Sequence, residues 1–163
     1  MKRLWSILVV CLLVLACADI SAAPYRIRKI DEFGDICCDD EKARLDNFAI
    51  ELQNNPEALG YIIFYGGRTR NYPYCHSSRL RLPRRGDAEA RAARLKPYIV
   101  MTRGVPPERL VVVNGGYREH WQAELWIVPK GEKPPAPSPT LQPGEIKFRK
   151  GRRAKRSDYY CEV

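Results

Sequence analysis

Apolar positions along the first half of the chain predict a strand followed by a helix. Loose alternation over residues 25–35 favours a strand that ends at the turn residues Gly34 and Asp35. Helical spacing (i, i+3, i+4, i+7) then links four apolar residues, Leu45, Phe48, Ala49 and Leu52. Acidic residues 39–41 suit the start of this helix, and Asn55-Pro56 ends it.

The second half of the folded part repeats the alternation of strand and helix. Tyr61 to Tyr65 form a short run rich in β-formers, which predicts a central strand, and an arginine-rich loop extends from it to Arg85. Asp87 is placed to cap a second helix that Gly104 closes. The apolar stripe of this helix comprises Ala88, Ala92, Leu95 and Ile99, and Pro97 predicts a kink within it.

Two further apolar runs, Leu110–Val113 and Ala123–Val128, predict the last strands. They form either an antiparallel pair or a pair separated by a longer loop. The order strand, helix, strand, helix, strand, strand predicts an α+β fold, with two helices on one mixed sheet.

The two ends of the chain have different compositions from this domain. Residues 1–23 have two basic residues followed by an apolar run of signal-peptide length, which predicts export and removal. Val14 to Cys17 offer the alternative of a lipoprotein signal with lipidation at Cys17. We therefore expect a periplasmic or outer-membrane-associated protein.

Downstream of the predicted domain, residues 24–129, lie a proline-rich linker at 130–143 and a basic tail at 144–163. From Lys130 onward there are nine basic and four acidic residues, so the tail holds much of the formal charge of +9. Few apolar residues occur there, which predicts disorder, with Tyr159 to Cys161 as the alternative docking point.

Four cysteines remain after removal of a 23-residue signal: Cys37, Cys38, Cys75 and Cys161. In an oxidising compartment an even number of cysteines predicts disulfides, and the lack of a C-x-x-C spacing disfavours zinc. Adjacent Cys37 and Cys38 are poorly suited to bond to each other, so we expect Cys75 to pair with one of them.

Several motifs in sequence order resemble the OmpA-like, peptidoglycan-associating domain family. They are the helix pattern over residues 45–56, Gly67-Arg68-Thr69 after the central strand, the pattern Arg91-Ala92-x-x-Leu95, and Gly104-Val105 leading to Gly116-Tyr117-x-Glu119. The resemblance covers about residues 31–128 and implies a βαβαββ domain that binds the diaminopimelate of peptidoglycan.

In that family an aspartate takes the ligand's ammonium group and an arginine takes its carboxylate. The resemblance places Arg91 at the arginine position, with its head toward the sheet edge, whereas helical geometry directs Arg94 outward. Thr69 or Arg70 occupies the aspartate position, and no acid occurs from Tyr61 to Gly86. Arg91, Arg68, Thr69 and Arg70 are therefore the candidate ligand-binding residues, and an anion suits them better than an ammonium group.

Neither histidine has a nucleophile at motif spacing, so the sequence predicts a binding protein without cofactors, metal or catalysis. The expected partner is peptidoglycan or another anionic envelope polymer. The alternative is a degenerate OmpA-like scaffold that contacts envelope proteins. The basic tail suggests an additional contact with anionic membrane, and export disfavours nucleic acid.

Overall fold

The computed structural model describes residues 26–71 and 80–159, and residues 70 and 71 only in their backbone. Within these residues five strands and three α-helices follow one another: β1 (Arg28–Phe33), α1 (Cys38–Asn54), β2 (Leu59–Asn71), β3 (Leu80–Arg81), α2 (Asp87–Ala92), α3 (Leu95–Arg103), β4 (Leu110–His120) and β5 (Gln122–Val128). The prediction of helices on a mixed sheet is confirmed.

The main sheet has the order β1-β5-β2-β4, so β2 is a central strand as predicted. Strand β5 is antiparallel to both β1 and β2, while β4 is parallel to β2. The last two strands are therefore not paired with each other, because β2 lies between them.

The crossing from β4 to β5 depends on a close backbone approach at Gly67. His120 pairs with Thr69 on one side of β2, and Gln122 pairs with Tyr65 on its other side. A Cβ atom at Gly67 would lie 2.5 Å from the Trp121 backbone nitrogen, so only glycine allows the chain to cross here.

The second predicted helix is broken into α2 and α3 by a turn at residues 93 and 94. Pro97 explains the break, because it has no N–H to donate and its ring clashes with the carbonyl of Ala93. Gly104 ends α3 with a positive φ of 67°, as predicted. The start differs by one residue, since Gly86 is the N-cap and Asp87 is the first helical residue.

The core lies between the helices and one face of the sheet. Its fully buried residues include Leu45, Phe48 and Leu52 of α1, Leu95 and Ile99 of α3, and Ile62 and Leu125 of the sheet. Beyond the central strand, β2 continues to Asn71 and pairs with β3. The predicted arginine-rich loop thus begins and ends in a short two-stranded arm, and residues 72–79 lie outside the described part.

From Ser138 to Tyr159 the chain packs on the folded domain, which corrects the prediction of a disordered tail. The backbone N–H of Ser138 donates to the Tyr65 hydroxyl (3.2 Å), and those of Thr140 and Leu141 donate to the Tyr117 carbonyl (3.0 and 3.1 Å). Three residues further on are buried: Ile146, Ala154 and Tyr159. These apolar residues are widely spaced among lysines and arginines, which is why composition alone predicted disorder.

Within the described residues no helix is long and apolar enough to cross a membrane. The predicted signal segment lies outside them.

Candidate functional site

The candidate ligand position lies between the end of β2 and helix α2, where Arg91 and Thr69 line the same small cavity. Its volume is about 30 Å³, which is room for little more than one water molecule. Among the residues that the structure describes, the site therefore has no preformed pocket for a sugar or an amino acid.

Arg91 is buried in this position, with only 2% of its surface exposed. Its guanidinium forms an ion pair with Asp35 and donates to the carbonyl of Gly34 (2.9 Å). Its planar head lies 3.9 Å from the centre of the Trp121 ring, in a cation–π contact. Groups of the protein itself thus contact both the edge and the face of the Arg91 guanidinium.

Arg94 and Glu41 extend this ion pair into a cluster of two arginines and two acids. Glu41 contacts both guanidinium groups and is itself buried. Arg94 also donates to the carbonyl of Tyr159 (2.7 Å). The prediction that Arg94 points outward was wrong, because the turn after Ala92 rotates it toward α1 and the tail.

Burial shifts the pKa values of two groups in this cluster. Desolvation raises the pKa of the Glu41 carboxyl, although Arg94 acts in the opposite direction. Desolvation also lowers the pKa of the Arg91 guanidinium, and the positive charge of Arg94 adds to this effect. Arg91 nevertheless stays charged at neutral pH, since its acidic neighbours favour the cation.

Asp35 supplies an acid next to Arg91 that the sequence search did not find. By the resemblance, an acid that partners Arg91 was expected within residues 61–86, whereas Asp35 comes from the turn between β1 and α1. The sequence did identify Asp35 as a turn residue, but not its contact with a side chain more than fifty positions later.

The C-terminal segment covers the cavity. The N–H groups of Arg149 and Ala154 donate to the carbonyls of Pro83 and Arg85 (2.8 and 2.9 Å), which fixes the segment along the chain leading into α2. The Tyr159 hydroxyl donates to the carboxylate of Asp87. Phe148 and Tyr159 complete the wall of the cavity, so the protein's own tail closes the site.

Of the other candidate residues, Thr69 lines the cavity with Arg91, whereas Arg68 is engaged elsewhere. Arg68 forms an exposed ion pair with Glu119 (2.6 Å). The Thr69 hydroxyl donates to the Glu119 carbonyl (3.3 Å) and lies 3.1 Å from Nδ1 of His120. Arg70 pairs through its backbone with Arg81, and its side chain lies outside the described part.

The loop was expected to be an anion site, but its described arginines are partly neutralised. In addition to the Arg68 pair, Arg84 contacts the carboxylates of Asp87 and Asp158 (3.4 and 3.1 Å). Arg85 is exposed and lies over the Phe148 ring (5.1 Å).

Cys37 and Cys38 are both disulfide-bonded. Cys75 and Cys161 lie outside the described residues, so the expected pairing of Cys75 stays a prediction.

Sequence reasoning missed a second, half-buried arginine on the opposite face of the sheet. Arg118 lies 3.6 Å from the centre of the Tyr65 ring and forms an ion pair with buried Glu124 (2.9 Å). It also donates to the Ser138 hydroxyl (2.7 Å), which ties the proline-rich segment to the sheet. No sequence motif marks this cluster, because its members come from three separate parts of the chain.

Among the described residues no group of three or more histidine, cysteine and acidic side chains is arranged to hold a metal ion. The arrangement around Arg91 consists of paired charges rather than a nucleophile and a base. Comparison with protein-family models and with curated proteins found no match to this sequence.

Proposed function

We propose that this protein is an exported cell-envelope module of OmpA-like type that acts as a scaffold or protein-interaction subunit. In this proposal Arg91 stabilises the fold and does not clamp peptidoglycan. The observation that carries it is the burial of Arg91, whose hydrogen bonds go to Asp35 and Gly34 and whose face is stacked on Trp121.

Energetics support a structural role for this arginine. A ligand carboxylate would have to displace Asp35 from Arg91 and leave one buried acid without its partner, which costs several kcal/mol. It would also have to displace Phe148 and Tyr159 from the cavity wall. A clamp that binds tightly has its charged groups open to the ligand beforehand.

Asp35 favours a second candidate function, a peptidoglycan clamp that is closed in this conformation. A zwitterion needs an acid and a guanidinium side by side, and Asp35 and Arg91 are that pair. In this alternative the tail must leave before the ligand enters, and the two groups then separate to hold the ammonium and the carboxylate.

Sedimentation with purified peptidoglycan at low and high salt distinguishes the two functions. The proteins compared are the mature chain, a Tyr159→Ala variant that loosens the tail, and that variant combined with Asp35→Asn. Asp31→Asn is the matched control, since Asp31 of β1 pairs with Arg44 of α1 (2.6 Å) and neither residue lines the cavity.

The scaffold proposal predicts that no protein shows retention that depends on Asp35. The closed clamp predicts that Tyr159→Ala shows salt-resistant retention. Adding Asp35→Asn to that variant should abolish the retention, and adding Asp31→Asn should not. This result would overturn the scaffold proposal.

A further inference from the structure

The tail presents its basic side chains on the outside of the molecule. Its apolar residues Ile146, Ala154 and Tyr159 face the domain and are buried. Seven basic residues of the same segment are exposed: Lys147, Arg149, Lys150, Arg152, Arg153, Lys155 and Arg156. Because backbone hydrogen bonds to Pro83 and Arg85 fix the segment, these seven cations form an ordered patch, the basic surface.

Most of the positive charge on the basic surface is not neutralised by carboxylates of the described residues. Arg152 forms an ion pair with Asp158 (2.6 Å). Within residues 26–71 and 80–159, no carboxylate pairs with Lys147, Arg149 or Lys150. A concentration of like charges on one side of a protein attracts an anionic partner over a distance of about 8–10 Å at ordinary salt.

Two exposed leucines lie beside the basic surface. Leu80 and Leu82 are 54% and 44% exposed, and their i, i+2 spacing directs them to the same side of the β3 segment. The Pro83 carbonyl, next to Leu82, accepts the hydrogen bond from Arg149 (2.8 Å). The two exposed leucines therefore precede the point where the tail backbone joins this arm, next to Arg149.

We propose that the basic surface, together with Leu80 and Leu82, binds an anionic phospholipid bilayer. Anionic headgroups attract the lysines and arginines, and the two leucines enter the boundary between the headgroups and the acyl chains. The two leucines favour a bilayer over a soluble polyanion as the partner, since a soluble polyanion is bound through the charges alone. The proposal is independent of the function assigned to Arg91.

Co-sedimentation of the mature, disulfide-bonded chain with vesicles tests this surface. Vesicles that contain phosphatidylglycerol are compared with vesicles of phosphatidylcholine alone, at low and high salt. The first variant, Arg149→Glu/Lys150→Glu, reverses two charges, and the second, Leu80→Ser/Leu82→Ser, removes the apolar anchors. Lys130→Glu/Lys133→Glu is the matched control, because it changes the net charge equally at exposed positions near the end of β5.

We expect partition onto the phosphatidylglycerol vesicles only. Each basic residue near a membrane contributes roughly fivefold to partition, so the first variant should lower it by at least about tenfold. The leucine variant should lower it by at least about tenfold, since the exposed halves of two leucine side chains amount to about one buried leucine. The control should lower it by less than about twofold because its charges lie outside the surface.

Three results overturn the proposal: no partition onto phosphatidylglycerol vesicles at low salt, equal effects of the first variant and the control, or wild-type partition of the leucine variant. The last result, combined with a loss in the charge-reversal variant, would assign the surface to a soluble polyanion instead.

Discussion

Arg91 and Arg118 lie on opposite faces of the sheet and are held in similar ways. Each stacks on an aromatic ring, at 3.9 Å for Trp121 and 3.6 Å for Tyr65, and each pairs with a buried acid. Each cluster also holds part of the C-terminal segment, through the Tyr159 carbonyl bound by Arg94 and the Ser138 hydroxyl bound by Arg118. Both clusters therefore hold the C-terminal segment against the domain.

The two clusters differ in how completely they are closed. The side chain of Arg91 is 3% exposed and shares its cluster with a second arginine and two acids, whereas that of Arg118 is 15% exposed and has one buried acid. The resemblance to a ligand-binding family thus leads to the more deeply buried arginine. Burial and mutual pairing distinguish a structural arginine from one that waits for a ligand.

Replacing Arg91 should have the largest effect on stability. Arg91→Met keeps most of the volume but leaves Asp35 and Glu41 in a buried site with less positive charge, at a cost of about 3–5 kcal/mol. Urea unfolding followed by tryptophan fluorescence measures it. The double variant Arg91→Met/Asp35→Asn should recover part of the loss, and strictly additive losses would contradict a direct ion pair.

Replacing Arg118 should cost less, about 2 kcal/mol, because Glu124 keeps other donors. The Tyr65 hydroxyl and Trp126 Nε1 lie 3.3 and 3.0 Å from its carboxylate. The same unfolding experiment on Arg118→Met measures this cost. A loss equal to that of Arg91→Met would remove the distinction between the two clusters.

The sequence predicted the helix–sheet core better than either arginine cluster. The stripe of α1 was predictable because a helix repeats every 3.6 residues, so Leu45 and Phe48 reveal a buried face locally. Arg91 was singled out as a site residue, but its partner Asp35 is distant along the chain and no local pattern connects them. The tail was misjudged because Ile146, Ala154 and Tyr159 bury themselves against a surface that exists only after the domain has folded.

Removing a single hydrogen bond between the C-terminal segment and the rest of the domain should have a smaller effect on stability. Tyr159→Phe removes the hydroxyl that donates to buried Asp87 and should cost about 1–2 kcal/mol. Ser138→Ala removes a more exposed contact to Arg118 and should cost about 0.5–1 kcal/mol. Thermal unfolding of the two variants checks the order, and a larger loss for Ser138→Ala would reverse the comparison.

The pH dependence of stability should distinguish the Arg91 cluster through Glu41. The folded state raises the pKa of Glu41 above its ordinary value of 4.5, so the folded protein binds this proton more tightly than the unfolded chain does. Protonated Glu41 therefore stabilises the folded state at acidic pH. This contribution is lost as the pH rises from about 4.5 through the raised pKa of the folded state. Denaturant unfolding of the wild type and Glu41→Gln over this range measures the effect.

The wild type should lose stability relative to Glu41→Gln as the pH increases. Glu124→Gln makes the same substitution in the Arg118 cluster and serves as the control. A wild type that gains stability relative to Glu41→Gln over the same range would show that Arg94 outweighs the burial of Glu41.

Native-state hydrogen exchange of the Arg149 and Ala154 amides tests most directly whether the tail closes the Arg91 site. Both N–H groups donate to backbone carbonyls next to α2, at 2.8 and 2.9 Å. If the tail closes the site, both amides exchange far more slowly than an unstructured peptide, and Tyr159→Ala accelerates them while the amides of β2 stay protected. Exchange of both amides at the rate of an unstructured peptide in the wild type would contradict this closure, because the tail would then leave the site open.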